Sequence, residues 1–502
     1  MARRIWCVLL ALCVLLLLGG CDEVPDLDHL TTDPTGGGDN APSDTTEEEL
    51  VFALPYSHDD TLNPFTSATE VNLQLSHLLY DSLMVIADGY VPQLSLASEV
   101  MVTDPTHLVV TLREGAVFAD GSAVTAEDVT KSFQKAKSSP HYDTLLTNVT
   151  AAKANAKKRQ ITFTLASADV NAQACLTFPV VKASTLTDAA AKAPVGGGLY
   201  MTAIDDSGAL QLVKNPHHPT EVNFPAIALR HLPNTAARYY ALASGRIAYC
   251  FDDLSEGEEP RITGASRPVA MNAMVFLGVN SAHKQLAIPA VRQALSLLLD
   301  RSAMAATYGE RGVSSASPLP IAWQPMTECT APTSAQDVEA ALALLADAGY
   351  PLTGKKQPEL RLIYNSDRTD RGVVAELIRT QAAACGLKIV LKPMTEAEYR
   401  QCLADGDYEL YLGEYRFGAD MSLRSLLLEG KTAYGVAPDS AAKQTYAAYL
   451  GGDSLQAFLD AFGTDAPFIP LCYRGGVAAY DRRLTAVTPT GYDPYHGIAA
   501  WQ

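Results

Sequence analysis

Hydrophobic and polar positions follow two different periods along this chain of 502 residues, and one stretch shows both in succession. Residues 274–280 (MVFLGVN) form an almost unbroken apolar run, which is typical of a buried strand. Residues 289–299 begin with proline, which suits the first turn of a helix, and continue with apolar residues at helical spacing. The polar residues 280–285 lie between them, and we interpret this segment as a crossing between two domains.

The second half of the chain alternates between strand and helix patterns. Ser334 is the predicted cap of the first helix there, and Gly349 and Gly386 mark helix ends. Such alternation predicts a largely parallel sheet covered by helices. The predicted helices are residues 335–348, 370–385 and 396–404, and the predicted strands are residues 360–364, 387–391 and 408–413.

The first half of the chain shows shorter strands with alternating apolar positions. Thr125 is the predicted cap of a helix, because its side chain can accept from the third amide and acidic residues follow it. Residues 87–90 (ADGY) predict a hairpin turn. A late strand at residues 468–474 could return to the first domain, ahead of an aromatic-rich tail. The other predicted elements are helices at residues 70–83 and 235–244 and strands at residues 50–55, 108–112, 161–165, 210–213, 227–232 and 247–251.

The composition is that of a folded protein with two or three domains, since 502 residues exceed what one core holds. Hydrophobic residues make up 48% and charged residues 19% of the chain. The formal net charge of −18 argues against nucleic-acid binding, which needs a basic face. The same charge argues against lying flat on anionic lipid.

The N-terminus has the pattern of a secretory signal. Arg3 and Arg4 precede the apolar residues 5–18, a run too short to span a bilayer comfortably but suited to a signal peptide. The run ends Leu18-Gly19-Gly20-Cys21, which resembles a bacterial lipobox. In such signals the peptidase cuts before the cysteine, and lipid is attached to its sulfur.

We therefore expect a lipoprotein signal peptide at residues 1–20 and a lipid anchor on Cys21 that fixes the protein to the membrane. Residues 21–49 are acidic and polar, so they predict a disordered tether. An ordinary signal peptide or a short anchor is the alternative.

Cysteine and histidine spacing predicts neither a metal site nor a cofactor. Six of the nine cysteines lie beyond Cys21, far apart and without a CxxC pair, and we favour mostly buried free thiols over one or two bridges. The histidines show no ligand spacing such as HExxH, and no GxSxG nucleophile motif is present.

Several segments, in the same order, match one known family. Residues 291–296 (VRQALS), followed by Asp300 and Arg301, are the most distinctive. The other segments are residues 62–64 (LNP), 80–83 (YDSL), 115–129 (GAVFADGSAVTAEDV), 194–200 (PVGGGLY), 242–247 (LASGRI) and 318–323 (PLPIAW). The ordered set resembles the family 5 extracellular solute-binding proteins, the dipeptide-, oligopeptide- and nickel-binding subunits of ABC importers. The resemblance covers nearly everything from residue 50 to the C-terminus.

The resemblance implies an α/β, bilobed periplasmic-binding-protein-like fold (class II, or cluster C) with an extra subdomain in the N-terminal lobe. The first lobe would be residues 50–279, with the subdomain inserted at about residues 91–193. The second would be residues 280–470, after which residues 471–502 return to the first. Ligand would bind between the lobes, which close around it by hinge motion.

The implied function is that of a membrane-anchored substrate-binding component of an ABC transporter. It would capture a small peptide or peptide-like solute and hand it to permease and ATPase subunits, with no enzyme activity. It would work as a monomer on the extracytoplasmic face of the bacterial cell membrane. The alternatives are a peptide-signal receptor lipoprotein and a nickel- or metallophore-binding protein, and an extracytoplasmic hydrolase is the least favoured.

Three candidate ligand residues lie in loops at the edges of the implied lobes. Tyr56 and Asn63 follow the first predicted strand, and Trp323 lies in a proline-flanked loop, where it could stack on a ligand. The alternatives are a surface tyrosine, a turn asparagine and a packing tryptophan.

The remaining candidates are charged or replace a charged residue. Arg368 aligns with an arginine that dipeptide binders use to hold the peptide carboxylate, and a guanidinium fork suits that group. An ion pair with a neighbouring aspartate is the alternative. Phe417 occupies the position where peptide binders carry the aspartate for the ligand's ammonium group. Either Glu414 or Asp420 supplies that negative charge instead, or the ligand lacks an ammonium group.

Overall fold

The structure of the protein is a computed structural model that describes residues 52–187, 192–255, 261–354, 357–429 and 433–502. The predicted signal peptide, Cys21 and the predicted tether lie outside the described residues. Among the described residues, no helix is both long and apolar enough to cross a membrane.

The first part of the chain forms two sheets and a hairpin. One sheet has the strand order β1–β10–β9–β8, in which β1 and β10 are parallel, and the other has the order β4–β5–β7–β6. The hairpin is β2–β3. The elements, in chain order, are β1 (Ala53–Tyr56), α1 (Glu70–Leu79), β2 (Met84–Ile86), β3 (Pro92–Leu94), β4 (Ala97–Asp104), β5 (His107–Leu112), α2 (Ala126–Ala136), β6 (Val149–Asn155), β7 (Gln160–Leu165), β8 (Tyr200–Ile204), β9 (Leu210–Lys214), β10 (Ala226–His231) and α3 (Thr235–Ala243).

The rest of the chain contributes the largest sheet among the described residues. Its strand order is β11–β17–β12–β16–β14–β15, and β13 also pairs with β17. The elements are β11 (Tyr249–Asp252), β12 (Ala265–Val279), α4 (Pro289–Leu297), α5 (Arg301–Ala306), β13 (Gly312–Ser314), α6 (Val338–Asp347), β14 (Glu359–Asn365), α7 (Thr369–Ala384), β15 (Lys388–Met394), α8 (Glu396–Asp405), β16 (Leu410–Arg416), α9 (Arg424–Leu427), α10 (Ala441–Leu450), α11 (Leu455–Asp465) and β17 (Phe468–Tyr480).

Local sequence rules explain several of these elements. In β5 and β7 every second residue is buried, as the alternating pattern predicts. Thr125 caps α2 as predicted, because its hydroxyl accepts from the Asp128 N–H while the Asp128 carboxylate accepts from the Thr125 N–H. Pro289 occupies the first turn of α4, as predicted.

The glycine-rich segment at residues 194–200 packs tightly against the end of α1. A Cβ atom at Gly196 would lie 2.1 Å from the backbone oxygen of Leu79, and one at Gly198 would lie 2.4 Å from the Leu79 carbonyl carbon. Only glycine allows this approach of two backbones. The segment therefore serves chain packing and leads into β8.

Two expectations need correction. The large sheet is mixed, because β14 runs parallel to β15 and β16 whereas β12 and β17 are antiparallel to their neighbours. The alternating pattern detected only the β14–α7–β15–α8–β16 part, in which helices connect parallel strands. Helix α6 begins at Val338 and not at residue 335, since Asp337 and not Ser334 is the cap and accepts from the Ala340 N–H.

The hydrophobic cores divide along β12 and β17. One core contains Leu54, Val110 and Phe163 together with Met271 and Ala273 of β12. Two further cores begin at Met274 and Val275, the next residues of β12. Residues of β12 therefore change from one core to the others between Ala273 and Val275, a position that we call the passage. The polar segment 280–285 follows it along the chain. The proposed lobe limits remain a prediction.

The passage coincides with an irregularity in the pairing of β12 with β17. The register shifts between Ala270 and Ala273, and Asn272 between them has a φ of 50°. Two long paired strands that both run through the passage connect the cores directly. We infer that bending between the cores is concentrated at this irregularity.

A buried ion pair joins α4 to the end of α11. Arg292 donates from Nη2 to Asp465 Oδ1 over 2.5 Å, and the second Asp465 oxygen accepts from the Ser440 hydroxyl. We expect Asp465→Ala to lower the free energy of unfolding by about 3–5 kcal/mol, because it leaves a buried guanidinium unpaired. Chemical denaturation followed by circular dichroism measures the change.

The control for this variant is Arg361→Ala. Arg361 pairs with Asp407 and Glu409, but its side chain is 38% exposed. Exposed pairs contribute about 0–1 kcal/mol, so this variant should stay close to the unmodified protein. Equal losses in the two variants would contradict the assigned role of the buried pair.

Candidate ligand-binding site

Glu414, near the end of β16, is held by arginines from separate elements. Arg474 of β17 donates to both of its oxygens, over 2.7 and 2.6 Å, and Arg371 of α7 also donates to Glu414 Oε2. Burial alone would raise the pKa of Glu414, but these arginines hold it at about 2. The carboxylate is therefore ionised, and both of its oxygens already accept hydrogen bonds from arginines.

Arg368 immediately precedes α7 and belongs to the same network. It donates to both oxygens of Asp370, over 3.1 and 2.9 Å, and its Nη1 lies 3.8 Å from Glu414 Oε2. Burial opposes ionisation of Asp370, but Arg371 and Arg368 lower its pKa below the usual value. Arg368 thus forms the ion pair that the alternative interpretation predicted, while its guanidinium still borders a cavity.

This cavity, which we call the arginine cavity, has a volume of about 200 Å³ and is lined by Tyr308, by residues at the start of α7 and by residues of β17. Leu254, which follows β11, faces the start of α7 across it, and Arg474 lines it as well. The network of Arg368, Arg371 and Arg474 with Asp370 and Glu414 has three positive and two negative groups. The excess positive charge favours an anionic group in the cavity.

A second cavity, which we call the Asp420 cavity, follows β16 and has a volume of about 370 Å³. Leu145 and Tyr492 line it from parts of the chain that contribute to the first core region, and Phe417 and Asp420 line it from the opposite side. The Phe417 ring is 7% exposed and packs edge-on against Tyr415, with a centroid distance of 4.9 Å. Phe417 thus supplies an apolar wall.

Asp420 has a buried carboxylate that forms no ion pair with a described residue. Two described N–H donors lie near its oxygens, that of Ser422, at 3.4 Å, and its own backbone N–H. Burial, and then the negative charge of Asp169, raise the pKa of Asp420 to about 7. Arg424 pairs with Asp169 over 3.1 Å, so two carboxylates share one guanidinium at this place. The excess negative charge favours a cationic group.

Beside this cavity, residues 169–171 contact the opposite wall at several points. Asp169 pairs with Arg424, the Val170 N–H donates to the Leu450 backbone oxygen over 3.1 Å, and the Tyr449 hydroxyl donates to Asn171 over 3.2 Å. We call this set the Asp169 contact. It holds the two sides of the Asp420 cavity together.

The two cavities are linked through charged groups. Arg416 lines the Asp420 cavity and pairs with the Asp253 carboxylate over 2.8 Å. The backbone oxygen of Asp253 accepts from Arg474, which lines the arginine cavity. Residues 415–418 and Asp420 line the Asp420 cavity, and Glu414 bonds Arg474, which lines the arginine cavity, so one strand end adjoins both.

The structure does not gather the other predicted residues at this place. Tyr56 lines a separate cavity of about 530 Å³ together with Lys192 and Ile204. The Asn63 side chain accepts from the Phe65 N–H over 3.0 Å, as a turn asparagine does. Trp323 is 5% exposed and packs in a core. Ligand contact by these three residues remains a prediction.

One group of side chains among the described residues has the spacing of metal ligands, namely His58, Asp59 and His231. All three are exposed, and His231 Nδ1 accepts from the His58 backbone N–H over 3.1 Å. In the neutral ring that bond leaves the proton on Nε2, the atom that faces Asp59. Metal binding through His231 would require breaking this hydrogen bond.

Several residues of the site were not predicted from sequence. Arg371 follows the polar residues 365–370 and Arg474 lies in an apolar segment, and neither position gives a local signal that the arginine is buried. Asp169 and Arg424 are 255 positions apart, so their pairing depends on the fold. The aromatic-rich tail was noted, but nothing in it distinguished Tyr492.

Comparison with known proteins agrees with this architecture. The sequence model of the bacterial extracellular solute-binding proteins, family 5 Middle, matches residues 89–428. The chain belongs to this family, whose members bind solutes outside the cytoplasm.

Two solved structures are similar over most of both chains. The ABC transporter substrate-binding protein CtaP from Listeria monocytogenes superposes with a TM-score of 0.70 at 19% identity, covering 90% of this chain and 98% of CtaP. NikA from Brucella suis, in complex with Fe(III)-EDTA, has a TM-score of 0.69 at 16% identity, covering 90% and 99%. These likenesses confirm the predicted bilobed α/β fold.

One curated relative is more similar but over a shorter stretch. It is the probable peptide-binding protein YejA from Agrobacterium fabrum, which is 42% identical over 112 residues. That match spans 21% of this chain and 17% of the relative's length.

The raised pKa of Asp420 predicts a pH-dependent cost to stability. Since an unfolded aspartate has a pKa of about 3.9, folded Asp420 retains a proton between about pH 4 and 7 that the unfolded chain has lost. The group therefore reduces stability as pH rises through this window. We expect Asp420→Asn to be more stable than the unmodified protein at pH 8 and nearly equal to it at pH 4.5, as denaturant midpoints would show.

Asp453→Asn removes one negative charge from an exposed loop and serves as the control. It should shift the midpoint equally little at both pH values. A pH-independent effect of Asp420→Asn would argue against a raised pKa at that carboxyl.

The Asp169 contact predicts a more open molecule when it is removed. Arg424→Ala deletes the guanidinium and leaves Asp169 unpaired, so separation of the two walls should become easier. We expect a larger radius of gyration for the ligand-free variant in small-angle X-ray scattering. Arg400→Ala, on the exposed face of α8, should leave the scattering unchanged. Identical scattering from both variants would show that the contact does not hold the cavity closed.

Proposed function

We propose that this protein is the substrate-binding component of an ABC importer that captures a small peptide or peptide-like solute between its lobes. Family membership and the likeness to CtaP support the transport role. The likeness to YejA, named as a probable peptide-binding protein, supports the ligand class. A signal peptide followed by lipid on Cys21 would anchor it, as a monomer, to the extracytoplasmic face of the membrane.

The observation that carries this proposal is the pair of oppositely charged cavities at the end of β16. A peptide has a carboxylate at one end and an ammonium at the other, so it complements both excess charges. Arg368, at the edge of the arginine cavity, is the proposed partner of the carboxylate.

Asp420 is the proposed partner of the ammonium group, in place of the aspartate that Phe417 replaces. Its carboxyl is buried and forms no ion pair within the described part of the chain, and an incoming ammonium would favour its ionised form. Glu414 is less suited to this role, because its oxygens already bind Arg371 and Arg474. Phe417 would then contact an apolar part of the ligand.

The alternatives have weaker support. NikA binds a metal chelate, but the one histidine among the described lining residues of the Asp420 cavity, His141, already bonds the Ser67 backbone oxygen over 2.7 Å. A peptide-signal receptor would use the same cleft, and neighbouring permease genes would distinguish transport from sensing. A hydrolase is disfavoured by family membership and by the missing nucleophile motif.

Isothermal titration of the purified protein with defined di- and tripeptides tests the proposal. Arg368→Ala should weaken binding of a peptide carboxylate by about 2–5 kcal/mol, the cost expected when a buried charge loses its partner. A peptide with an amidated C-terminus should lose affinity for the unmodified protein and be nearly indifferent to the substitution.

Arg361→Ala is the matched control, since it removes an arginine on β14 away from both cavities. Metals and metallophores are titrated in the same series. Failure to bind any peptide, with binding of a metallophore instead, would replace the peptide assignment.

A further inference from the structure

A third cavity, which we call the His77 cavity, lies between α1 and the C-terminal segment. It has a volume of about 380 Å³ and is lined by His77, Asp81, Tyr142, Tyr492 and Asp493, among others. None of the candidate ligand residues predicted from sequence lines it. Nothing in the proposed recognition of the peptide termini uses it.

The His77 cavity adjoins the Asp420 cavity through one side chain. Tyr492 lines both, and it is the residue that they share. Its ring stands edge-on to His77, with a centroid distance of 6.0 Å, and the Thr177 side chain lies beside its hydroxyl. The Tyr492 ring therefore separates a ligand group in the Asp420 cavity from the His77 cavity.

The charges of the His77 cavity are unbalanced. Its described lining residues include two carboxylates, Asp81 and Asp493, but neither lysine nor arginine. In the described part of the chain no hydrogen bond reaches the Asp81 carboxylate, and the imidazole Nε2 of His218, whose pKa burial lowers, is 4.0 Å away. Asp493 Oδ1 accepts from the Tyr495 N–H over 2.9 Å and lies 3.6 Å from His77 Nδ1.

The Asp81 side chain is 20% exposed, so its carboxyl is accessible from the cavity that it lines. Burial raises the pKa of Asp81 to about 7, and the positive charge of Arg113 only partly opposes this. The rings of Tyr142 and Tyr492 add faces on which a cation is attracted by the ring quadrupole.

We propose that the His77 cavity is a second subsite of the same ligand pocket, and that it takes a positively charged side chain, a lysine ammonium or an arginine guanidinium. This inference rests on the proposed function, because it assumes that a peptide occupies the neighbouring Asp420 cavity. It narrows the substrate class to peptides with a basic side chain. Tyr492 separates the group bound by Asp420 from the group bound by Asp81 and Asp493.

The test compares lysine with norleucine, which has a similar aliphatic chain without the charge. Tripeptides carry one or the other at each position in turn, with alanine elsewhere, and dissociation constants are measured by titration calorimetry. In the unmodified protein, lysine should bind about tenfold more tightly than norleucine at one position. In the double variant Asp81→Asn/Asp493→Asn this preference should fall to about twofold or less, while the norleucine peptide keeps its affinity.

Two further variants serve as controls. One is expected to fold even if the double variant does not, and the other measures the effect of removing a distant charge. Gln93 is exposed and lines the same cavity, so Gln93→Lys should fold normally and reduce the lysine preference by supplying a cation from the protein. Asp453→Asn removes a distant negative charge and should leave the preference unchanged.

The outcomes separate this inference from the proposed function. Peptide binding without any lysine preference, or a preference that survives both the double variant and Gln93→Lys, overturns the subsite while the peptide-binding function stands. Absence of binding by every peptide overturns the proposed function and the subsite together.

Discussion

The buried carboxylate of Glu414 constrains the centre of this molecule. Glu414 lies on β16 and Arg474 on β17, the two strands on either side of β12, so their ion pair spans β12 where the chain passes between cores. Arg371 ties α7 to the same carboxylate, and Arg474 also bonds the backbone of Asp253. Because an unpaired charge in such surroundings is costly, strands, helix and loop are held in one arrangement. Arg368 is positioned as part of it.

The charges that this arrangement leaves unbalanced have opposite signs in the two neighbouring cavities. The arginines outnumber the acids around Arg368, and the acids outnumber the arginines around Asp420. A zwitterionic ligand would neutralise both excess charges, whereas without it the like charges in each cavity repel one another. Under the proposed function, binding energy of this kind would be available for holding the two sides of each cavity together, since residues from separate parts of the chain form both.

Stability and function are therefore set against each other at Asp420. A carboxyl buried beside Asp169 weakens the folded state near neutral pH, yet the same missing partner makes room for a cation. Asp81 repeats this arrangement in the adjoining cavity. In contrast, Asp60 accepts from several neighbouring donors, which together lower its pKa to about 2 against the effect of burial. The two acids with a raised pKa, and not acids in general, mark the cavities that we propose for the ligand.

Local signals were sufficient for most elements. The Thr125 cap, the proline in the first turn of α4 and the alternation in β5 and β7 act within a few residues, so sequence alone predicts them. The pairing partners of β12 and β17 depend on segments up to about two hundred residues away. Their direction, and hence the mixed sheet, could not be predicted from periodicity. For the same reason the change of core inside β12 could not be predicted, and the domain crossing at residues 280–285 stays a prediction.

The sequence by itself determined the family, the bilobed fold and the strand end at residues 414–420 as the place to look for a ligand. These follow from ordered motifs and from short-range patterns. Only the tertiary structure decided which charges are paired. Glu414 and Arg368 already have partners, Asp420 and Asp81 largely lack them, and Tyr492 divides the space between those two acids. The physical reason is that pairing and burial depend on distances across the fold, which the order of residues along the chain does not contain.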